Sequence, residues 1–110
     1  MVKGADLPII IGEFHFGALD RGMIHTGLRG VASQRQRAYA YEHYVKQALK
    51  HPHIVGTHWF QLREQNITGR ADGENYQIGF VDICDTPYQE IIDVARRVGR
   101  NMYSLRSKEK

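Results

Sequence analysis

Cysteine is almost missing: Cys84 is the only one among 110 residues, so no internal disulfide can form. It lies in the apolar stretch Phe80-Val81-Asp82-Ile83-Cys84, which predicts a buried, inert thiol rather than a nucleophile. Long apolar runs are missing as well. No stretch approaches the roughly 20 residues needed to span a bilayer as a helix, so a membrane-embedded chain is not expected. The N-terminus also lacks the basic segment and apolar core of a secretion signal. Charge of one sign is scarce. Lys and Arg number 15 against 12 Asp and Glu, a net +3, and part of that excess falls between Arg96 and Lys110. Solvation of a helix face and a frayed charged tail (residues 104–110) accounts for it, and nucleic-acid binding is not expected. No H-E-x-x-H, Cys/His or glycine-rich phosphate-binding spacing is present; residues 27–30 are too poor in glycine. Metal ions and cofactors are therefore not expected.

What is present is an ordinary globular composition, 42% hydrophobic and 25% charged, in a chain sized for one small domain. Residues 7–12, Leu-Pro-Ile-Ile-Ile-Gly, read as a strand covered on both faces, as in a parallel sheet. The spacing then predicts a helix over residues 33–50. Ser33 and Gln36 form a capping box, Ala38, Tyr41, Val45, Ala48 and Leu49 share one face, and Pro52 ends it. Residues 53–60 read as a second buried strand. A second helix is expected from Thr86, with Pro87 in its first turn, Gln89 closing another capping box, and Tyr88, Ile91, Ala95, Val98 and Met102 inward. Strand, helix, strand, helix is the alternation of an α/β parallel sheet.

The connections are unequal. The helix-to-strand link at His51 and Pro52 is short, whereas both strand-to-helix links are long, about residues 14–32 and 61–85. A further short strand is expected inside the second, at residues 77–82. Long loops in compact domains are commonly functional, and these two follow the C-terminal strand ends, where parallel α/β folds build their sites.

Glu13 directly follows Ile9-Ile10-Ile11-Gly12. It reads either as a catalytic carboxylate at the mouth of a barrel or as a surface loop glutamate. Trp59 ends the second strand and reads either as a stacking platform for a sugar ring or as a core tryptophan. Gln61, Gln65, Asn66, Arg70, Asp72, Glu74 and Asn75 crowd the second loop, suited to many hydroxyl groups or simply to water. Among six histidines, His51 and His53 are expected to face solvent. His43 has no second ligand at helical spacing. His15, His25 and His58 could meet above the sheet.

Two segments carry a resemblance. Gly12-Glu13-Phe14-His15-Phe16-Gly17 resembles the seventh-strand motif of the β-agarases of glycoside hydrolase family 50. Gly56-Thr57-His58-Trp59-Phe60-Gln61 is similar to their eighth-strand motif. Gln36, Arg37, Ala38 and Tyr44-Val45 fall where the family has the intervening helix. Gly69-Arg70, Asp72-Gly73-Glu74-Asn75-Tyr76 and Gly79-Phe80-Val81 resemble the loop that follows. The match runs from about Pro8 to Tyr103.

The resemblance implies the C-terminal βαβα portion (strands seven and eight with their helices) of a TIM (β/α)8 barrel. It also implies a retaining hydrolase of β-galactosidic linkages in agarose-type polysaccharide or oligosaccharide. Glu13 would be the nucleophile, with His15, His58, Trp59, Gln61, Glu74 and Asn75 binding substrate. The family is typically secreted or periplasmic. Retention needs two carboxyl groups about 5–5.5 Å apart. In this clan the acid/base glutamate ends strand four, and nothing here corresponds to strands one to six. A full barrel takes about 250 residues, so a partial catalytic domain over residues 1–110, inactive alone, is expected. A carbohydrate-binding or self-associating half-barrel and a piece of another clan β-galactosidase are the alternatives.

Overall fold

The computed structural model describes residues 6–23, 25–65 and 68–108. Four elements follow one another: β1 (Ile9–Phe14), α1 (Gln34–Lys50), β2 (Ile54–Trp59) and α2 (Gln89–Lys108). The two strands pair in parallel, with Ile9 beside Ile54, Ile10 beside Gly56, Ile11 beside Thr57 and Phe14 beside Trp59. Register shifts after Ile9 and after Ile11 bend the ladder, and Phe60 N–H extends it by donating to the Phe14 carbonyl at 2.9 Å.

Ser33 caps α1 as its sequence implies, its hydroxyl accepting from the Gln36 amide at 3.2 Å. At the other end, Arg106 of α2 donates to the carbonyls of Leu49, His51 and Pro52 at 3.0, 2.7 and 3.1 Å. Those carbonyls end α1 and its turn, where a cation satisfies acceptors that the helix leaves open. Residues 104–108, read from sequence as part of a charged tail, are thus the last turns of α2; residues 109 and 110 lie outside the described residues.

Ala38, Tyr88, Ile91, Val94 and Val98 form the core between the helices, with Tyr41, Val45, Trp59, Phe80 and Ile92 packed against it. Val94 takes an inward place that the helical pattern did not predict, while Met102 is exposed.

Four expectations are corrected. α2 begins at Gln89, not Thr86, because Asp82 draws the loop away from helical geometry. Its Oδ1 accepts from the Cys84 and Thr86 amides at 2.8 and 2.9 Å, while Pro87 bridges to Val81. Residues 77–82 are not a strand, since Val81 makes isolated bridges to Arg63 and Pro87 on opposite sides instead of a ladder. Cys84 is exposed, carried outward by that same Asp82 turn. Finally, the strands are not covered on both faces: Ile10 is 62% and Val55 61% exposed. Two strands and two helices cannot enclose both faces of a sheet. Beside them an open apolar groove of about 380 Å³ runs between Val45, Leu49, Ile54, Val55, Met102 and Tyr103. No helix among the described residues is long and apolar enough to cross a membrane.

Candidate active site at the C-terminal strand ends

Both long loops rise from the same end of the two parallel strands. Glu13 lies one residue before the end of β1 and is exposed, while Phe14 turns inward beneath it. Phe14 stacks on Tyr44 of α1 at 4.3 Å between ring centroids and meets Trp59 edge-on at 5.3 Å. Strand alternation therefore sends the carboxylate outward because its neighbour is anchored in the aromatic layer. Glu13, His15, Phe16, Leu28, Arg29 and Tyr44 line a cleft of about 290 Å³.

His15 is half-buried beside that cleft. Its Nε2 accepts from the Leu28 amide at 3.1 Å, and its ring lies 6.5 Å from Phe60 and 6.2 Å from Tyr76. Accepting at Nε2 assigns the proton to Nδ1. Gly27 makes this packing possible. Its φ is +82°, and a Cβ there would meet His15 Nε2 at 2.7 Å. Burial lowers the His15 pKa below 6.5, opposed by the charges of Glu74 and Glu13 and helped by that of Arg37. The folded chain therefore favours the neutral ring. Its stabilising contribution is present above pH 6.5 and is lost as pH falls through the depressed value. In an imidazole NMR titration, His15 is expected to protonate below pH 6.5; a midpoint at or above 6.5 contradicts this placement.

The second loop brings Glu74 to the same rim. Arg70 grips Asp72 with Nε at 2.8 Å and Nη2 at 2.6 Å, and Nη2 also reaches Glu74 at 3.1 Å. The Arg70 guanidinium lies 5.9 Å above the Phe60 ring. The hydrogen bond from Arg70 is the main cause that holds the Asp72 carboxyl down at about 2. Gln65, buried, donates to Glu74 Oε1 at 2.9 Å and accepts from the Tyr76 amide at 2.8 Å. The structure thus gathers Glu13, His15, Phe60, Arg70, Glu74 and Tyr76 around one mouth.

Trp59 is half-buried inside the aromatic cluster, and its indole N–H donates to the carbonyls of Gln61 and Ile78 at 3.1 and 2.7 Å. Gln61 donates to the Arg63 carbonyl at 3.0 Å, Asn75 is half-buried, and His58 is exposed on β2. His25 stands against Tyr76 at 5.0 Å, on the ring that His15 also approaches, while His51 and His53, expected in solvent, are half-buried against each other at 5.7 Å. Asn66 lies outside the described residues. Among the described residues, no cluster of three His, Cys, Asp or Glu side chains is arranged to hold a metal ion.

Beneath the mouth lies a buried polar layer that no sequence motif announced. Arg37 is 0% exposed and Glu64 5%. Glu64 Oε1 accepts from Gln77 Nε2 at 3.1 Å, from the Ile78 amide at 2.8 Å and from the Gly79 amide, while Oε2 accepts from the Tyr88 hydroxyl at 3.0 Å. Burial raises the Glu64 pKa even so, and it lowers that of Arg37 to about 10. One signal could have revealed this layer. Gln34, Arg37, Ala38 and Tyr41 share the i, i+3, i+4, i+7 stripe of α1, so a charge was written onto an inward face.

Comparison with known proteins decides the relationship. The chain is 48% identical over 105 residues to β-agarase B of Vibrio sp. (strain JT0107), covering 94% of this chain and 11% of that protein. With β-agarase A of the same strain it shares 46% over 103 residues, 93% of this chain and 10% of the relative. Among solved structures, an exo-β-agarase superposes with a TM-score of 0.88 at 51% identity, covering 90% of this chain and 14% of the other. This chain is a family 50 β-agarase homologue. The agarase AgWH50C agrees, with a TM-score of 0.87 and 52% identity over 90% of this chain and 16% of its own. No family model matches the chain. This agarase homologue spans about a tenth of the length of the curated relatives it matches.

Proposed function

We propose that this chain forms the C-terminal βαβα part of a retaining glycoside hydrolase barrel acting on β-galactosidic linkages of agarose-type polysaccharide, with Glu13 as nucleophile. The observation that carries the reading is the exposed Glu13 at the C-terminal end of a parallel strand, facing a cleft beside His15. A carboxylate there can attack an anomeric carbon, while Trp59, Gln61, His15, His58, Glu74 and Asn75 offer ring faces and hydrogen-bonding groups to a sugar. Protonating the leaving oxygen requires a second carboxyl group about 5–5.5 Å from the first. Glu74, whose charge acts on His15 together with that of Glu13, is a loop candidate in this chain, but Arg70 and Gln65 already hold its Oε1. The chain alone is therefore inactive in this reading, the acid/base being supplied by barrel segments homologous to the remainder of the agarases.

One observation favours a second reading, a self-associating half-barrel that binds sugar without cleaving it. Ile10, Val55 and the apolar groove are open, and a second copy would cover them. Purified 110-residue chain, assayed on agarose and neoagaro-oligosaccharides with its molar mass followed by light scattering, separates the readings. No turnover is expected. Turnover that depends on Glu13 would show that the chain or its oligomer supplies its own acid, overturning the single-carboxylate account.

A further inference from the structure

We propose that Arg37 is a positioning residue, whose guanidinium sets the spacing between the loop carrying His15 and the loop carrying Glu74. The agarase reading enters only as what the mouth acts on; the brace rests on contacts of its own. Arg37 projects from the first turns of α1 and reaches three places at once. Nε donates to the Phe16 carbonyl at 2.7 Å, Nη1 to Gln34 Oε1 at 3.0 Å, and Nη2 to the Gly79 carbonyl. Phe16 directly follows His15, and Gly79 belongs to the loop that carries Glu74. The guanidinium also lies over the rings of Trp59 and Tyr88, whose centroids are each 5.3 Å from its central carbon, two further contacts that hold it in place.

A second link runs in parallel. Gln77 of the second loop accepts, through Oε1, from the Ala18 amide of the first loop at 2.8 Å and from Gln34 Nε2 at 3.1 Å. The two loops are thus joined directly, by the Ala18 amide on Gln77 Oε1 and the Gln77 amide on the His25 carbonyl at 2.6 Å, and also through Gln34 and Arg37 of α1. Only a planar fork with several fixed donors can hold two carbonyls and an amide oxygen in this way; an ammonium on a flexible stem lacks that geometry. The consequence at the mouth is geometric. Groups that must meet a sugar together tolerate little error, since a displacement of about 1 Å can cost roughly a hundredfold in rate.

The brace is tested on the intact chain, without sugar, so its failure is separate from failure of the agarase reading. Arg37→Lys keeps the charge that acts on His15 beside Glu13 and Glu74, but not the fork. Val98→Ala opens a gap in the helix core away from the mouth and serves as a control for lost stability. Each variant is melted, and the His15 imidazole titration and Leu28 amide exchange are read by NMR. Arg37→Lys is expected to move the His15 midpoint by roughly half a pH unit or more. It should also speed Leu28 exchange roughly five- to tenfold relative to Val98→Ala, the worth of one hydrogen bond. Should Arg37→Lys not fold, Gln34→Leu removes one acceptor and leaves the guanidinium, and is expected to move His15 by a smaller amount. Folded variants with wild-type His15 behaviour, or a Val98→Ala shift of equal size, overturn the proposal.

Discussion

Glu13→Gln is expected to abolish agarose hydrolysis when this chain replaces the matching segment of β-agarase B. The unsubstituted graft is expected to turn over, since 48% identity over 94% of the chain leaves the strand ends and their loops in register. Glutamine keeps the shape and hydrogen-bonding capacity of Glu13 but cannot attack carbon. In the proposed retaining mechanism, with Glu13 as nucleophile, both steps pass through that carboxylate. The loss should fall on kcat, by roughly four orders of magnitude or more, as for other nucleophiles that act as part of a unit. Substrate affinity should change little, because Glu13 is exposed at the rim and no aromatic surface is removed. Initial rates on neoagaro-oligosaccharides check this. A Glu13→Gln graft within tenfold of the parent graft assigns the nucleophile elsewhere.

Glu64→Leu is expected to cost roughly 3–5 kcal/mol of stability, enough to unfold most of a domain whose total is about 5–15 kcal/mol. The leucine would strand the Ile78 and Gly79 amides, the Gln77 side-chain amide and the Tyr88 hydroxyl, all of which Glu64 now satisfies. It would also leave the buried Arg37 without the carboxylate that acts on it most strongly. Glu64→Gln keeps an acceptor for the three N–H donors and should cost far less, which urea melts of both variants would show. Equal losses would mean that the charge, not the hydrogen bonding, is what matters. The pH dependence gives a second check. Burial raises the Glu64 pKa above 4.5, so the folded chain holds this proton more tightly than the unfolded one. That contribution is full below pH 4.5 and is lost as pH rises through the folded value. Relative to Glu64→Gln, wild type is expected to be most stable in acid and to lose ground toward neutrality.

Much of the fold is legible in the sequence, because its signals are local. The S-x-x-Q box places the start of α1, since a hydroxyl reaches a free helical amide by local geometry alone. The apolar run of residues 7–12, just before Glu13, and the second over residues 53–60, which carries Trp59, mark both strands and the direction in which they point. At Thr86 the same local rule fails. Asp82, four residues upstream, takes the Thr86 amide first and delays the helix to Gln89.

The sequence by itself determined the order of strand and helix and the ends of the strands where chemistry can occur. It also determined the kinship with the β-agarases, because these depend on neighbours along the chain. Tertiary structure alone decided that Trp59 spends its indole N–H on two loop carbonyls, and that Gly27 makes room for His15. It alone decided that Arg37, Gln77 and Glu64, 40 and 13 residues apart in turn (77 − 37, 77 − 64), make one buried layer. Burial of a charge is stable only when distant groups arrive together to satisfy it, and no local pattern of residues records which groups those will be.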